Sequence, residues 1–410
     1  MPIFNSLGSS YSWRFRWLAV LQLVWPNRLQ LNRLKQLLAR AFTGEVKLVW
    51  KGRDAIELVL DSYGLGKGDK VLTQAFCCYS VEEAVKRTGA EVVYADLPAG
   101  EICLDFASFK QAVAQCSSIK AVILQHVLGY IDEVAKIARY CRQHDIILIE
   151  DLAQSVGAEY QPEHQVGELA DACVLSFGRD KLVDGVSGGA AIIKTKPARH
   201  ISEPFALDSA QPAATTKKQR VIVKDMIYPL LTGWIRNTYS VGLGKALHSL
   251  AKKLNWLYSP VSTFHHHYQS LPAYYAPLVI MAWNDLEANI EHRRKIAHYY
   301  FNRLNSVESV NLPVSRQQIS RGANLRFPIL VDQPQDLLEF LKRRGIHLED
   351  RWYRQAVATG RLDLNSSCQP GSCPHAEELA AAIVNLPTHR LIGINQADKV
   401  ASAITAWAQT

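Results

Sequence analysis

The sequence predicts an α/β fold: a mostly parallel sheet flanked by helices, followed by a small α+β C-terminal domain. Three observations predict it. Short β-rich runs alternate with helical patterns between Val46 and Lys194, and such alternation builds parallel strands joined by crossover helices. The strand rhythm stops after Lys194 and gives way to helical patterns. The chain has 410 residues, beyond the roughly 250–300 at which a single core stops growing, so one large domain and a smaller one are expected.

Residues 1–45 read as an N-terminal helical segment. Arg14 and Arg16 precede the apolar run 17–25, which is shorter than the ~20 residues that cross a bilayer and lacks a small-residue cleavage site. It fits a surface or dimer-contact helix. Residues 46–200 form the large domain, with strands expected at 46–50, 70–74, 91–95, 120–125, 146–150, 172–176 and 190–194. After Gly52, Ile56, Val59, Leu60 and Tyr63 fall at i, i+3, i+4, i+7, an amphipathic helix; Val134, Ile137, Ala138 and Cys141 mark a second over 132–144. A polar stretch at 203–220 opens a basic helical insertion over 201–275. Its apolar residues make two stripes, Ile227, Leu230, Leu231, Trp234 and Leu243, Leu247, Leu250, Leu254. Residues 276–410 hold one long helix running from Trp283 through Arg293-Arg294-Lys295, then strands near 327–331 and 384–386 of the small domain.

Composition narrows the function classes. With 48% hydrophobic and 20% charged residues, the chain is an ordinary globular protein and not a disordered one. Eight cysteines include no C-x-x-C pair and read as thiols of a reducing compartment, so a cytoplasmic location is expected. Cys368 and Cys373 flank a Pro-Gly turn and read as structural. The net charge of +8 is uneven. Over residues 217–253 the cations Lys217, Lys218, Arg220, Lys224, Arg236, Lys245, Lys252 and Lys253 stand against Asp225 alone, eight to one. A nucleic-acid binder usually carries a broader basic face, so no nucleic acid is expected; this patch suits acidic lipid headgroups in a weak peripheral contact, or an anionic substrate. His265-His266-His267 is no metal site on its own, since adjacent ring directions diverge and no ligand spacing follows.

Three features fall where open α/β sheets bind ligands, at the strand carboxyl ends. Trp50-Lys51-Gly52-Arg53-Asp54 is a strand, a glycine and a helix start; the unpaired N–H groups there can hold a phosphate, although many such turns use glycine for geometry alone. The strand Ile146-Ile147-Leu148-Ile149 ends in Glu150-Asp151. An acid there can pair with a cationic ligand group, or simply cap the following segment. Ser176 and Lys181 come five residues apart, before a Gly-rich turn at 185–189. A lysine in a partly dry crevice can attack carbonyls, whereas Arg179 and Asp180 beside it also suit a solvated surface.

Together the motifs resemble those of the DegT/DnrJ/StrS sugar aminotransferases, enzymes of the fold-type-I pyridoxal-phosphate class. The similarity rests on Gly66-Lys67-Gly68-Asp69, Gly89-Ala90-Glu91-Val92, His126 with Gly129, Glu150-Asp151-Leu152-Ala153-Gln154, Ser176-Phe177 with Lys181, Gly188-Gly189, Arg293-Arg294 and Asn385-Leu386-Pro387-Thr388-His389. It implies that Lys181 carries pyridoxal 5′-phosphate as a Schiff base and shuttles the substrate proton, and that Asp151 pairs with the ring nitrogen. Gln154 would bind the phenolic oxygen and Ser176 a phosphate oxygen. Gly52, Arg53 and Asp54 occupy the phosphate turn, and Tyr79 or Phe76 would cover the ring.

Three features depart from the family pattern. The phosphate turn is Gly52-Arg53-Asp54 where many members have Gly-Thr-Ala, which sets an acid by a dianion unless Asp54 points away. The family's Asn-Tyr-Arg stretch has no counterpart ahead of Trp283, where Pro272-Ala273-Tyr274-Tyr275 stands. The insertion is foreign to shorter members. The resemblance therefore implies a homodimeric aminotransferase that moves an amino group from glutamate or another amino-acid donor to a keto-sugar nucleotide in polysaccharide or related sugar biosynthesis. A sugar dehydratase of the same family would carry histidine at position 181, and a catalytically silent regulatory or scaffold member remains the reading from another class.

Overall fold

The computed structural model describes residues 2–8, 11–116, 118–131, 133–194, 212–257, 267–348, 352–358 and 366–410. Seven strands build the main sheet: β1 (Glu45–Val49), β2 (Lys70–Gln74), β3 (Glu91–Ala95), β4 (Ile119–Gln125), β5 (Ile147–Asp151), β6 (Ala172–Ser176) and β7 (Gly189–Ile193). Their order in space is β1-β7-β6-β5-β4-β2-β3. Only β7 runs against its neighbours; the other pairings are parallel. Parallel strands are buried on both faces and so read as continuous apolar runs. β4 is of this kind, exposing Lys120 alone. Alternate residues feed two cores: Val71, Ile123, Ile149 and Val174 face one, while Leu72, Val122, Leu124, Leu148 and Leu175 face the other.

Helices cover both faces: α1 (Trp13–Val24), α2 (Leu29–Phe42), α3 (Gly52–Ser62), α4 (Tyr79–Thr88), α5 (Phe106–Gln115) and α6 (Val134–Gln143). Asp132, the expected first residue of α6, lies outside the described residues. Ser12 caps α1, its Oγ accepting from Phe15 N at 3.3 Å. Gly89, at φ +87°, ends α4 in a conformation that costs glycine little. Because β7 reverses direction, β1, β5 and β6 point the same way, and their carboxyl ends deliver Lys51, Asp151 and Ser176 to one edge of the sheet.

The insertion folds as α7 (Pro212–Asn237) and α8 (Leu243–Lys253), with α7 packed on α1 and α8 on α7. Residues 203–211 of the expected connector, and His265 and His266, lie outside the described residues. The two apolar stripes are not the packed faces that their periodicity suggests. α7 buries Val221, Ile222, Met226, Tyr228, Thr232 and Ile235 instead, leaving Ile227, Leu230 and Leu231 half-buried and Trp234 exposed. On α8, Leu243 and Leu250 are exposed, as is Leu254 just past its end. α7 is thus apolar nearly all round, and periodicity cannot say which side is inward.

The single long helix expected from Trp283 is two: α9 (Ala276–Asn284) and α10 (Leu286–Leu304). They break at Asp285, whose carboxylate takes Arg390 Nη2 at 3.1 Å. Beyond α11 (Arg316–Arg321), β8 (Arg326–Leu330) pairs antiparallel with β9 (Ile383–Pro387), flanked by α12 (Pro334–Arg343), α13 (Pro374–Ala382) and α14 (Ile394–Trp407). Two short parallel bridges tie the parts together: Ile3–Phe4 on Ile346–His347, and Val357–Ala358 on Cys77–Cys78. All eight cysteines are free. Among the described residues, no helix is long and apolar enough to cross a membrane.

Candidate active site

One cavity of about 350 Å³ opens at the carboxyl edge of the sheet. It gathers Lys51, Gly52, Arg53, Asp151, Gln154, Ser176 and Lys181 from elements far apart in sequence. Asp151, the last residue of β5, is 8% exposed and accepts a hydrogen bond from Ala153 N at 3.0 Å. Burial pushes its carboxyl above the ordinary aspartate range, while Ala153 N–H, Lys181 and His126 pull it back. Just behind, Glu150 Oε2 meets His126 Nε2 at 2.8 Å and accepts from Gly167 N at 3.1 Å. Gln154 is held at both ends of its amide: Oε1 accepts from Leu128 N at 2.8 Å and Nε2 donates to Tyr353 Oη at 2.7 Å. Gly129 makes room for that turn, because a Cβ there would stand 2.7 Å from Gln154 O.

Lys181 sits on the loop between β6 and β7. Burial lowers the pKa of its amine, partly offset by Cys78, Asp151 and Asp180. Its Nζ lies 5.0 Å from the centre of the Trp352 ring. The loop holds two residues in the left-handed region, Asp180 at φ +63° and Val186 at φ +72°. For a β-branched valine this is a strained conformation. Asp184 clamps both: Oδ2 accepts from Asp180 N, and Oδ1 from Val186 N, each at 2.8 Å. Tyr11 Oη donates to the same Oδ1 at 2.9 Å, so the N-terminal segment supports the loop. The insertion supports it too. Arg179 Nη2 donates to Asp225 Oδ1 of α7 at 2.6 Å, its guanidinium stacks over Tyr228 at 3.7 Å, and Tyr275 Oη donates to Asp225 Oδ2 at 2.8 Å.

At the far end of the cavity, the turn from β1 into α3 lies against the end of β6. A Cβ on Gly52 would stand 2.8 Å from Ser176 Cβ and 3.0 Å from its Oγ, so only glycine lets the helix start and the serine share this corner. The Lys51 side chain is half-buried here and donates to Ser187 Oγ at 2.9 Å. Burial brings its pKa down to about 8.

The sequence-expected residues divide clearly. Lys181, Asp151, Gln154, Ser176, Gly52 and Arg53 line the same cavity; Asp54 and Tyr79 do not. Asp54 is turned into the α3–α4 interface, where Arg87 Nη1 donates to it at 3.2 Å and to Glu57 at 3.1 Å. The acid of the phosphate turn therefore points away from the site. Arg53 pairs with Glu83 of α4 at the cavity rim. Tyr79 opens α4, and since helical neighbours point ~100° apart, its turn offers Cys78, Ser80 and Val81 to the cavity instead. Phe76 is fully buried and packs on Tyr353 with ring centres 4.4 Å apart. The rings at the cavity are Trp352 and Tyr353, brought over from the C-terminal part beside the Val357–Ala358 bridge. Trp352 and Tyr353 were missed because each needs a partner remote in sequence, their adjacency being the one local signal; Lys51 stood in the motif before Gly52 but was given no role of its own.

Comparison with known proteins fits this arrangement. The model of the DegT/DnrJ/EryC1/StrS aminotransferase family matches residues 41–218 and 270–405. Over 142 residues the chain is 34% identical to a pleiotropic regulatory protein of Geobacillus stearothermophilus, covering 35% of this chain and 37% of that one. Over 141 residues it is 29% identical to the L-glutamine:2-deoxy-scyllo-inosose aminotransferase of Streptomyces kanamyceticus, covering 34% and 32%. The match thus spans about a third of the length of these curated relatives. In fold the chain is similar to NtdA of Bacillus subtilis, solved with bound cofactor PMP, at a TM-score of 0.70 and 16% identity over 99% of this chain and 85% of that one. With the family model covering both the sheet and the C-terminal domain, this chain belongs to the DegT/DnrJ/EryC1/StrS aminotransferase family.

Proposed function

We propose that the protein is a pyridoxal-phosphate aminotransferase that takes an amino group from glutamate, glutamine or another amino acid and passes it to a keto-sugar nucleotide. Pyridoxal phosphate is the cofactor of the family. The observation that carries the reading is that Lys181, Asp151, Gln154, Ser176 and the Gly52 turn line one cavity of about 350 Å³. These residues fit the cofactor: the corner that a Gly52 Cβ would fill is a cradle for a phosphate, and the N-terminal end of α3 favours an anion there.

Once bound, the cofactor supplies an electron sink for the pair left when a proton leaves the donor's α-carbon. The chain supplies the rest. Ser176 Oγ and the N–H groups at the start of α3 hold the phosphate, with Lys51 adding charge. Asp151 keeps a proton on the ring nitrogen through an ion pair that its desolvated carboxylate favours. Gln154 has a second amide hydrogen beyond the one given to Tyr353 and can donate it to the ring's phenolic oxygen. Lys181, its pKa lowered by burial, is a competent nucleophile and then a base that moves the proton from the donor's carbon. Trp352 and Tyr353 limit water at the amine. A homodimer in the cytoplasm, acting in polysaccharide or related sugar biosynthesis, completes the proposal.

The test is a single half-reaction. Glutamate or glutamine added to the yellow holoenzyme, without any sugar, should bleach it and release keto acid in an amount no greater than the enzyme present. A keto-sugar nucleotide should restore the colour and permit turnover. If no common amino acid bleaches the protein, transamination is wrong and the silent regulatory reading takes its place.

A further inference from the structure

Outside the active site, α1, α7 and α8 form a packed group with an unusual surface. Exposed on α1 are Trp13, Trp17, Leu21, Val24 and, at its end, Trp25, each between 55% and 81% exposed. At ~100° per residue, the first four fall within about 80° of one another, a single outward stripe. The opposite side, Phe15, Ala19 and Gln22, is buried, and Gly233 of α7 lets Arg16 lie flat across the joint, since a Cβ there would stand 2.3 Å from Arg16 Nη1. α7 adds exposed Trp234, and α8 adds Leu243 and Leu250, with Leu254 just past its end.

Charge on these segments is one-sided. α1 contains Arg14 and Arg16 and no acid, and residues 217–253 contain eight cations and Asp225 alone. Asp225 is buried against Arg179, so among the described residues of these helices no acid reaches the surface. Ten cations to one acid give +9, against +8 for the whole chain, so the remainder is close to neutral.

We propose that this face docks on an anionic lipid bilayer. Tryptophans and leucines on helices that lie at the surface, with cations around them, fit the headgroup boundary of a membrane, and lysine and arginine draw in acidic headgroups. No helix among the described residues is long and apolar enough to span a bilayer, and the proposed contact is a peripheral one. A second copy of this chain is the poorer occupant, since two faces of like charge and without exposed acids repel. The inference is independent of the reaction: neither Trp17 nor Leu21 touches the cavity.

Flotation of the holoenzyme with vesicles tests it. Phosphatidylcholine vesicles containing phosphatidylglycerol should carry the protein at about 0.05 M salt and release most of it at about 0.5 M, where the screening length shrinks severalfold; pure phosphatidylcholine should not bind. The double variant Trp17→Glu/Leu21→Glu should lose at least about tenfold of the binding while its bound-cofactor absorbance is unchanged, which reports an intact fold. Absence of flotation with phosphatidylglycerol at low salt overturns the proposal, as does equal flotation of the double variant. A solution mass that falls from dimer to monomer in that variant, without flotation of the parent, assigns the face to a second copy instead.

Discussion

Replacing Asp225 with alanine probes how the insertion acts on the site. Arg179 and Asp225 are 5% and 1% exposed in their side chains and meet at 2.6 Å. Removing the acid leaves the Arg179 cation buried over Tyr228 with its counter-charge gone, and Tyr275 Oη loses the acceptor it holds at 2.8 Å. Breaking a buried pair from one side costs roughly 3–5 kcal/mol, about two to nearly four orders of magnitude in a folding equilibrium. Denaturant unfolding of Asp225→Ala should show that loss as a lower midpoint. Because Arg179 stands two residues before Lys181, the same variant should release pyridoxal phosphate faster on gel filtration. Replacing both partners by apolar residues, Arg179→Met with Asp225→Leu, should recover most of the stability, since no charge is then left buried. A cost below about 1 kcal/mol for Asp225→Ala, or a double variant as unstable as the two single losses added, would show that the pair does not carry the load assigned to it.

Other consequences are as direct. Lys181→Ala should fold and bind cofactor reversibly but give no borohydride-fixed adduct; a fixed adduct in that variant assigns the chemistry to Lys51 or another amine. Asp151→Asn is nearly isosteric and should unfold close to the parent midpoint, yet lose most turnover, as its uncharged amide no longer favours a protonated ring nitrogen. Gly52→Ala drives a Cβ to 2.8 Å from Ser176 and should cost ~1–3 kcal/mol by overpacking, with a weaker hold on the cofactor; unchanged retention in dialysis would move the phosphate elsewhere. Lys51, with its pKa lowered to about 8, is charged below that pH and loses its charge above it. Binding of the carbonyl-free analogue pyridoxine 5′-phosphate should therefore be full below pH 8 and weaken as the pH rises through it, a range in which the phosphate, with a second pKa near about 6, stays dianionic. In Lys51→Met the decline should vanish.

Much of the sheet was legible because parallel strands advertise themselves twice, as apolar runs and as the regular partners of helical patterns. β2, β3 and β6 match their expected bounds, and the other four strands shift by a residue at their ends. The polar residues at those ends were legible for the same reason: a carboxylate or serine that closes an apolar strand in an open α/β sheet can face only the ligand edge. What escaped were features decided across long distances. Whether Asp54 faces the cavity or Arg87 depends on how α4 packs on α3, which no local pattern encodes. The same holds for Trp352 and Tyr353, carried to the cavity by a two-residue bridge on Cys77–Cys78. In the insertion the periodicity was present, but between Val221 and Ile235 apolar residues lie on nearly every side of α7, so the pattern gave a helix without saying which face turns in.

The insertion's charge pattern explains why that ambiguity matters. Asp225, the one acid of α7 and α8, is the residue that folding draws inward, onto the loop that carries Lys181, while Lys245, Lys252 and Lys253 stay exposed beside Leu243, Leu250 and Leu254. An insertion needed only to brace Lys181 could carry a polar outer face at no loss to the Arg179–Asp225 contact. The exposed Trp234, Leu243, Leu250 and Leu254 therefore leave a face for a second partner, while Asp225 and Tyr228 bind α7 to the loop that carries Lys181. Contact on the outer face of α7 would load a helix that touches the residue two before Lys181, so occupancy of one face and order of the loop are mechanically joined. In the vesicle experiment this predicts that binding to phosphatidylglycerol slows cofactor release from the parent, and that Arg179→Met/Asp225→Leu, which cuts the link but leaves the outer face intact, still floats while its release rate no longer responds to lipid.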